Sequence, residues 1–322
     1  MSPKTYLAVP VIDFSRLDLN PDNNTEEWES VRTQVVKALE EHGCFKASSN
    51  KISLELRQAI LSDLEELFAL PLENKMRNTS ELPNCGYIGK SPFTPLHESL
   101  GIIDPITLEN VESLTNVLWP GGKPSFSENI QSYSKQILEV EKIIRRMILE
   151  NLGVDKYLDE HMNSTASSLR VMRYEAPNTT ETQLGLAAHT DQGIIAILYQ
   201  NQIDGLEVET KNGEWANIKL EPDHFLVIFG ESFNAWVNGR LYAPFHRVTM
   251  IGNEVRYSFG TFSAFKPGYL IKAPEELVDE EHPLQYRPFD FIEVLNRHQA
   301  QVQKSSDKVE TAIAPLKAYY GV

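Results

Sequence analysis

The spacing of apolar residues differs between the two halves of the chain. In residues 52–70 apolar side chains recur every three or four positions, which predicts a helix that Pro71 ends. The first half is predicted to contain further elements: strands at 9–14 and 44–48, and helices at about 23–42 (stopped by Gly43), 125–152 and 154–162. Residues 78–124 are rich in Pro, Gly, Ser and Asn, and they predict a long irregular segment that forms part of a pocket wall.

From Ser167 onward the pattern changes to short β-type runs separated by turn residues such as Asp204-Gly205 and Asn238-Gly239. The runs are SLRVMRYEA, GIIAILYQ, GLEVETK, EWANIK, HFLVIFG, AWVNGR, FHRVTM and EVRYSFGTFSAF. Evenly spaced strands of this kind predict two packed sheets, and helices return after about residue 289. The predicted fold class is α+β, with a double-stranded β-helix (jelly-roll) core, an N-terminal helical layer and C-terminal helices.

Neither a repeat nor a hydrophilic linker divides the sequence, so residues 1–322 are predicted to form one domain. Its parts are a mainly helical layer with the pocket-wall segment at 1–165, a jelly-roll catalytic core at 166–288, and a helical lid at 289–322. The absence of heptads or another self-association pattern predicts a monomer.

Composition narrows the classes of function. Hydrophobic residues make up 41% of the 322 residues, and the formal net charge is −15. Such an acidic chain is a poor candidate for nucleic acid, because phosphate binding needs clustered Lys and Arg. Two cysteines, Cys44 and Cys85, fit a reducing compartment, and the N-terminal residues contain no apolar stretch long enough for a signal peptide or a membrane span. These features predict a cytoplasmic protein that binds neither nucleic acid nor membrane.

The stretch LAAHTDQG at 186–193 places an imidazole and a carboxylate two residues apart at the mouth of an apolar strand. In a strand, positions i and i+2 face the same side, so His189 and Asp191 are expected to point together. A buried ionised Asp is costly without a partner, and a divalent metal would satisfy it and also use the imidazole. A third ligand is expected from another strand. His246 is the best placed, and His224, which opens a strand, is its rival.

Two imidazoles and one carboxylate on one face of a metal leave the opposite face open. That arrangement suits ferrous iron that binds a co-substrate and oxygen. A tripeptide with His and Asp also occurs often by chance, so the residues alone leave the alternative of no metal open.

Arg256 and Ser258 lie two apart on a β run that follows His246. A planar guanidinium beside a hydroxyl can hold a carboxylate through two hydrogen bonds. If the two runs form a hairpin with a three-residue loop, Arg256, Ser258 and His246 face one side, whereas a two-residue turn puts Arg256 on the other side. A surface salt bridge of Arg256 is the plainer alternative. Iron and a carboxylate anchor together indicate a dicarboxylate bound by both ends.

The motifs HTD at 189–191, NGR-x5-HRV at 238–248 and RYS at 256–258 together resemble those of plant iron(II)- and 2-oxoglutarate-dependent dioxygenases. The likeness covers nearly the whole chain, from VPVIDFS and EEHGCFKASSNKIS to the terminal YYGV. Within that family, MRYEAP, GLEVETKNGEWANI, NGRLYAPFHRVTM and ELVDEEHPL resemble the branch that contains the alkenyl- and hydroxyalkyl-producing glucosinolate enzymes and deoxypodophyllotoxin synthase.

The resemblance implies three iron(II) ligands, which are His189, Asp191 and His246. It implies three residues that bind 2-oxoglutarate, which are Arg256, Ser258 and Tyr174. Many flavonoid-type members carry Asn two positions before this tyrosine. Met172 stands there in this chain, so one polar contact to the co-substrate is missing or replaced. Halogenating relatives have a small residue in place of the carboxylate, so Asp191 argues against halogenation.

Phe262 matches an aromatic position that lines the substrate pocket of related enzymes, and core packing is its alternative. Phe93 and Phe265 are further candidates, and such a pocket suits a mostly apolar or aromatic plant metabolite. The resemblance implies that 2-oxoglutarate and O2 are consumed in C–H oxidation, with hydroxylation expected and desaturation or ring closure as variants. A non-catalytic β-barrel binding protein and a zinc hydrolase using the same three metal ligands are the alternatives, and the hydrolase has no use for Arg256.

Overall fold

Helices occur on both the N-terminal and the C-terminal side of a β core. The computed structural model describes residues 6–17, 26–82, 85–91, 94–304 and 315–322. Its helices are α1 (Glu26–Glu41), α2 (Leu54–Ala69), α3 (Leu72–Lys75), α4 (Leu108–Leu118), α5 (Pro124–Asn151), α6 (Leu158–Asn163), α7 (Glu231–Trp236), α8 (Phe291–Lys304) and α9 (Lys317–Tyr320). None of the helices in these ranges is both long enough and apolar enough to span a bilayer.

Most of the strands belong to two sheets. The strands are β1 (Val11–Asp13), β2 (Cys44–Ser48), β3 (His97–Ile103), β4 (Thr165–Tyr174), β5 (Thr179–His189), β6 (Ile195–Gln200), β7 (Leu206–Glu209), β8 (Trp215–Asn217), β9 (His224–Phe229), β10 (His246–Gly252), β11 (Arg256–Phe265), β12 (Leu270–Ile271) and β13 (Phe289–Asp290). Within the described ranges, one sheet has the order β1-β2-β9-β6-β11-β4-β3 and the second has the order β5-β10-β7-β8. This double sheet, with helices before and after it, confirms the predicted fold class.

The N-terminal helices cover the outer face of the larger sheet. The long helix α5 has a buried stripe at helical spacing that includes Phe126, Ile130 and Tyr133. Tyr133 packs edge-on against Phe259 of β11, with the ring centroids 4.9 Å apart. The helices α1 and α2 pack along α5, and all of them join one hydrophobic cluster with that face of the sheet. Each large side chain buried here contributes about 1.5–3 kcal/mol, so this layer anchors the sheet.

A second and smaller apolar cluster fills the space between the two sheets. It brings together Met172 and Tyr174 of β4, Leu226 of β9, and Val248 and Met250 of β10. The same inward faces also carry polar side chains, and these make up the candidate site.

Gly43 ends α1 as the sequence predicts. Its φ is +68°, which favours glycine, and a Cβ at this position would lie 2.4 Å from the carbonyl oxygen of Tyr242. The start of α1, predicted at residues 23–25, lies outside the described residues. The division of the chain at 165/166 and 288/289 stays a prediction.

The prediction of an irregular segment at 78–124 is wrong for two parts of it, because β3 and α4 lie there. Residues 97–102 of β3 are all buried, so the strand shows no alternation of apolar and polar residues. In α4 the buried side chains of Val111, Thr115 and Leu118 do follow helical spacing, so the sequence contained that signal.

The prediction of a strand at AWVNGR is also wrong. Ala235 and Trp236 end α7, and Asn238 and Gly239 form a turn with φ of 56° and 76°. A short apolar run of this length does not distinguish a strand from one turn of helix.

The hairpin expected between the runs that contain His246 and Arg256 does not form. The strand β10 pairs with β5 and β7, whereas β11 pairs with β4 and β6. The chain passes from one sheet to the other after Gly252, so neither predicted register applies. His246 and Arg256 therefore lie on opposite sheets, each on the face that carries interior residues.

Candidate active site

Asp191 lies in the loop that follows β5, not on the strand as expected. The strand ends at His189, and the loop leads to β6. The loop is held by α7, because the N–H of Glu231 donates to the carbonyl oxygen of Asp191 at 2.8 Å. Both carboxylate oxygens of Glu231 accept from the N–H of Leu316 at 3.1 and 3.0 Å, and burial raises the pKa of Glu231 to about 7. The position of Asp191 thus depends on α7 and on the C-terminal segment.

The side chains of His189, Asp191 and His246 meet at one point. Their candidate ligand atoms all lie within 4.8 Å of one another. The Nε2 atoms of His189 and His246 lie 3.9 and 3.7 Å from Oδ1 of Asp191. His189 and His246 are register partners on β5 and β10, which explains how residues distant in sequence come together. His224, the rival third ligand, instead contacts Glu221 through Nδ1 at 3.0 Å.

Backbone carbonyl groups orient both imidazoles. Nδ1 of His189 donates to the carbonyl oxygen of Ala187 at 2.9 Å, and Nδ1 of His246 donates to that of Pro244 at 3.3 Å. Because a carbonyl oxygen only accepts, each Nδ1 carries the proton and each Nε2 presents its lone pair. Metal-binding histidines are commonly fixed in this way.

The buried carboxylate of Asp191 supports a cation at this point. Oδ2 of Asp191 is buried and has no hydrogen-bond partner among the described residues. Burial raises the pKa of Asp191, and the nearby His246 acts in the opposite direction. A divalent ion between the three side chains would provide the missing positive charge, and two imidazoles with one carboxylate suit iron(II).

Arg256 lies on β11, on the inner face of the larger sheet, and only 3% of its surface is exposed. Its Nη2 donates to Oε1 of Gln200 at 2.6 Å, and its Nη1 donates to Oγ of Ser258 at 3.4 Å. The guanidinium carbon lies 4.9 Å from the centre of the Tyr174 ring, a cation–π distance. These contacts bring Arg256, Ser258 and Tyr174 together, as the resemblance implies.

The guanidinium of Arg256 has no carboxylate within ion-pair distance in the described ranges, and its Nε has no hydrogen-bond partner there. Burial lowers its pKa, which shows the cost of holding this charge away from water. A bound carboxylate would compensate the charge. Among the described residues the hydroxyl of Tyr174 donates to Sδ of Met172 at 3.9 Å, a weak acceptor, and it also interacts with the Arg256 side chain. This group of side chains therefore suits one end of a small dicarboxylate.

Comparison with known proteins decides the family. A family model described as the 2OG-Fe(II) oxygenase superfamily matches residues 166–264, and one described as non-haem dioxygenase in morphine synthesis N-terminal matches residues 9–105. The chain is 44% identical over 319 residues to a probable 2-oxoglutarate-dependent dioxygenase of Arabidopsis thaliana, AOP1, and the alignment covers 97% of each chain. The chain belongs to the 2-oxoglutarate- and iron(II)-dependent dioxygenases.

Further relatives agree with this family. The dioxygenase is 31% identical to the 2-oxoglutarate-dependent dioxygenase AOP2 of Arabidopsis thaliana, over 92% of this chain and 95% of that one. The crystal structure of a rice dioxygenase for auxin oxidation superposes with a TM-score of 0.79 at 26% identity, over 98% and 100% of the two chains. Iron(II) is therefore the metal of the dioxygenase, and 2-oxoglutarate is its co-substrate.

The three phenylalanines predicted to contact substrate have different positions. Phe262 is partly buried and packs against the cluster between the sheets. Phe265 lies on the other face of β11, where it is 2% exposed and packs in the main core of the dioxygenase, edge-on against His161. That placement contradicts a role for Phe265 in the pocket. Phe93 lies outside the described residues.

Sequence reasoning missed three interior polar residues of the dioxygenase: His97, Arg170 and Gln200. A signal existed for Arg170, because it is four positions before Tyr174 and so shares its face of the strand. His97 was missed because it was assigned to an irregular segment. Gln200 was missed because its hydrogen bond with Arg256 joins two strands and produces no local pattern in the sequence.

Proposed function

We propose that the dioxygenase couples oxidative decarboxylation of 2-oxoglutarate to hydroxylation of a C–H bond in a mostly apolar or aromatic plant metabolite. The observation that carries this proposal is the His189, Asp191 and His246 cluster in an interior that also holds a buried guanidinium without a carboxylate partner. When bound, iron(II) and 2-oxoglutarate supply the activation of oxygen. The likeness to AOP1 and AOP2 supports the narrower branch indicated by the motifs.

The metal ligands in this proposal are His189, Asp191 and His246. The carbonyl groups that accept from the two Nδ1 atoms fix the rings before metal binds, so little ordering remains to be done. The loop at Asp191 is likewise fixed by the Glu231 N–H. Three side chains held in this way would bind the metal with little rearrangement.

The 2-oxoglutarate site in this proposal comprises Arg256, Ser258 and Tyr174. Arg256 would hold the distal carboxylate, while Gln200 orients the guanidinium through the 2.6 Å hydrogen bond. Sδ of Met172 is a weak hydrogen-bond acceptor for the hydroxyl of Tyr174. This O–H group would therefore be able to donate to an oxygen of the co-substrate instead. The apolar cluster between the sheets excludes water from this region.

The test of the proposed function is co-product formation with defined metals. Purified protein is supplied anaerobically with iron(II) or zinc, then given 2-oxoglutarate, air and a panel of plant metabolites. Succinate should form with iron(II) only, and a true substrate should raise its rate and gain one oxygen atom by mass spectrometry. Succinate formation that is absent with iron(II) across the panel, or metabolite hydrolysis with zinc, would refute the proposal.

Membership of the dioxygenase family argues against both alternatives raised by the sequence. A zinc hydrolase would leave the buried Arg256 without a role, and a binding protein would not need the intact ligand set. A monomeric state and a cytoplasmic location stay predictions.

Phe262 and Phe265 form a matched pair on opposite faces of β11. Phe262→Ala is expected to change the Michaelis constant for substrate, or the preference among substrates, with a small loss of stability. Phe265→Ala should destabilise the fold by about 3–5 kcal/mol, because it leaves a cavity in the main core. Denaturant unfolding and substrate kinetics on both variants check this. Phe262→Ala that unfolds easily yet keeps its substrate range would assign Phe262 to packing alone.

A further inference from the structure

The loop that contains Asp191 is held along its length by the start of α7. Three consecutive N–H groups, those of residues 230–232, each donate to a carbonyl oxygen of the loop at 190–194. The acceptors are, in that order, Ile194, Asp191 and Gly193, at 2.8, 2.8 and 3.0 Å. The two backbones lie close together, because a Cβ on Gly230 would be 2.3 Å from the carbonyl oxygen of Gly193. Residues 230–232, which we call the clamp, therefore set the backbone path of the loop.

The Glu231 side chain joins the same loop to the C-terminal segment at 315–322. It is 7% exposed, and its carboxylate accepts from the hydroxyl of Thr190, the residue that precedes Asp191. The same carboxylate accepts from the N–H of Leu316 through both of its oxygens, at 3.1 and 3.0 Å. One buried side chain thus connects the loop of a proposed metal ligand with a backbone group 85 positions later in the sequence.

The C-terminal segment at 315–322 has further attachments to the protein. The N–H of Arg287 donates to the carbonyl oxygen of Tyr320 at 2.8 Å, and the rings of Tyr320 and Phe289 stack with their centroids 4.3 Å apart. Leu316 is 3% exposed and belongs to the main hydrophobic cluster. The position of the Leu316 N–H is therefore tied to the docking of the whole segment.

Docking of this segment and metal binding at Asp191 would favour the same arrangement of Glu231. A buried carboxylate with too few donors is costly, so loss of the Leu316 N–H would favour a conformation in which Glu231 reaches water. That conformation would release the hydroxyl of Thr190 and the loop beside it. A metal bound at Asp191 would in turn favour the loop as the clamp holds it. Two events that favour one conformation stabilise each other by the same factor.

We propose that Glu231 is a positioning residue that couples docking of the C-terminal segment to metal binding at Asp191. The inference rests on the proposed function, because it concerns the same metal site. Undocking of the segment lowers the affinity for the metal, and the bound metal favours the docked segment. The C-terminal residues thereby regulate a site to which they contribute no ligand.

Amide hydrogen exchange on the full-length wild type tests the coupling without any substitution. Manganese(II) alone is the probe, since imidazole and carboxylate donors bind divalent first-row metals and this ion is stable in air. Added manganese(II) should slow exchange at the amides of residues 316–322, measured by mass spectrometry. The turn at 210–213 is the internal control and should exchange at an unchanged rate, because it closes through its own hydrogen bond from Gly213 to Thr210.

Glu231→Gln is expected to weaken manganese(II) binding roughly 10- to 100-fold, the range found when the outer partner of a metal ligand is lost. The substitution keeps the size of the side chain. It replaces one of the two oxygens that face the Leu316 N–H with an NH2 group, so two donors meet. Metal should then no longer slow exchange in the C-terminal segment. Calorimetric titration and the exchange measurement check the two effects.

Two variants control this experiment. Glu73→Gln removes the same charge from an exposed position of α3 and should bind manganese(II) like the wild type. Lys317→Ala changes an exposed side chain of the C-terminal segment and leaves the Leu316 N–H in place, so the response of exchange to metal should persist. If Glu231→Gln does not fold, Thr190→Val provides the same test, and its loss of affinity should be smaller because only one hydroxyl is removed.

The outcomes separate this inference from the proposed function. Equal manganese(II) affinity of the wild type and Glu231→Gln, or weaker binding with undiminished slowing of exchange at 316–322, would show that Glu231 does not couple the two events. A wild type that binds the metal without any slowing there would overturn the coupling and leave the metal site intact. A wild type that binds no manganese(II) would instead defeat the metal site on which the proposed function depends.

Discussion

Substitution His246→Ala is expected to abolish iron retention and succinate formation together. His246 contributes one of three candidate ligand atoms that lie within 4.8 Å of one another, and its ring is already oriented by the carbonyl group of Pro244. Loss of an outer partner of a metal ligand costs roughly 10- to 100-fold in affinity or activity, so loss of the ligand itself should exceed that. Iron content after desalting and succinate yield measure the two effects.

His224→Ala provides the matched control for that experiment. His224 also lies on a strand, but it contacts Glu221 and is absent from the cluster around Asp191. The control should keep its iron and its turnover. Full activity in His246→Ala, or equal loss in both variants, would show that the ligand assignment is wrong.

Arg256→Lys is expected to raise the Michaelis constant for 2-oxoglutarate roughly 10- to 100-fold, because lysine is a point charge that cannot bind a carboxylate through two parallel hydrogen bonds. Iron binding should persist, since Arg256 lies on β11 and the three proposed ligands come from β5, its following loop and β10. Succinate formation over a range of 2-oxoglutarate concentrations measures the effect.

Gln200→Ala extends the same test to the residue that orients Arg256. It removes the 2.6 Å hydrogen bond but leaves the guanidinium, so the Michaelis constant should rise by a smaller factor than in Arg256→Lys. An unchanged constant in Arg256→Lys would mean that the buried guanidinium does not anchor the co-substrate.

Much of the fold was predictable because its elements carry local signals. The stripe of α5, which includes Phe126, Ile130 and Tyr133, repeats at helical spacing and covers one face of the larger sheet. The end of α1 at Gly43 was predictable because this position needs a left-handed backbone conformation, and the backbone of Tyr242 lies close to it. Strand pairing was less predictable, since sheet membership depends on contacts between distant residues. The chain therefore offered no local sign that β10 and β11 belong to different sheets.

In the candidate site, too, local motifs were predictable from the sequence and contacts between distant residues were not. The motifs that contain His189, Asp191 and His246 pointed to residues that the fold brings together, even though Asp191 lies beyond the end of β5. Phe265 was wrongly predicted to line the pocket. Side chains alternate along β11, and Phe265 is an odd number of positions from Arg256, so it lies on the opposite face. The sequence alone could have shown this. The pairing of Gln200 with Arg256 had no sequence signal, since it arises from neighbouring strands.

The hydrogen bonds from Leu316 to Glu231, and from Glu231 to Asp191, have a consequence for biosynthesis. Leu316 is 85 residues from Glu231 in sequence, so this contact closes a long loop and is expected to form late in folding. Asp191, the proposed carboxylate ligand, gains its full support only after the segment at 315–322 has docked. Iron capture by a newly made chain should therefore be among the last events of its maturation.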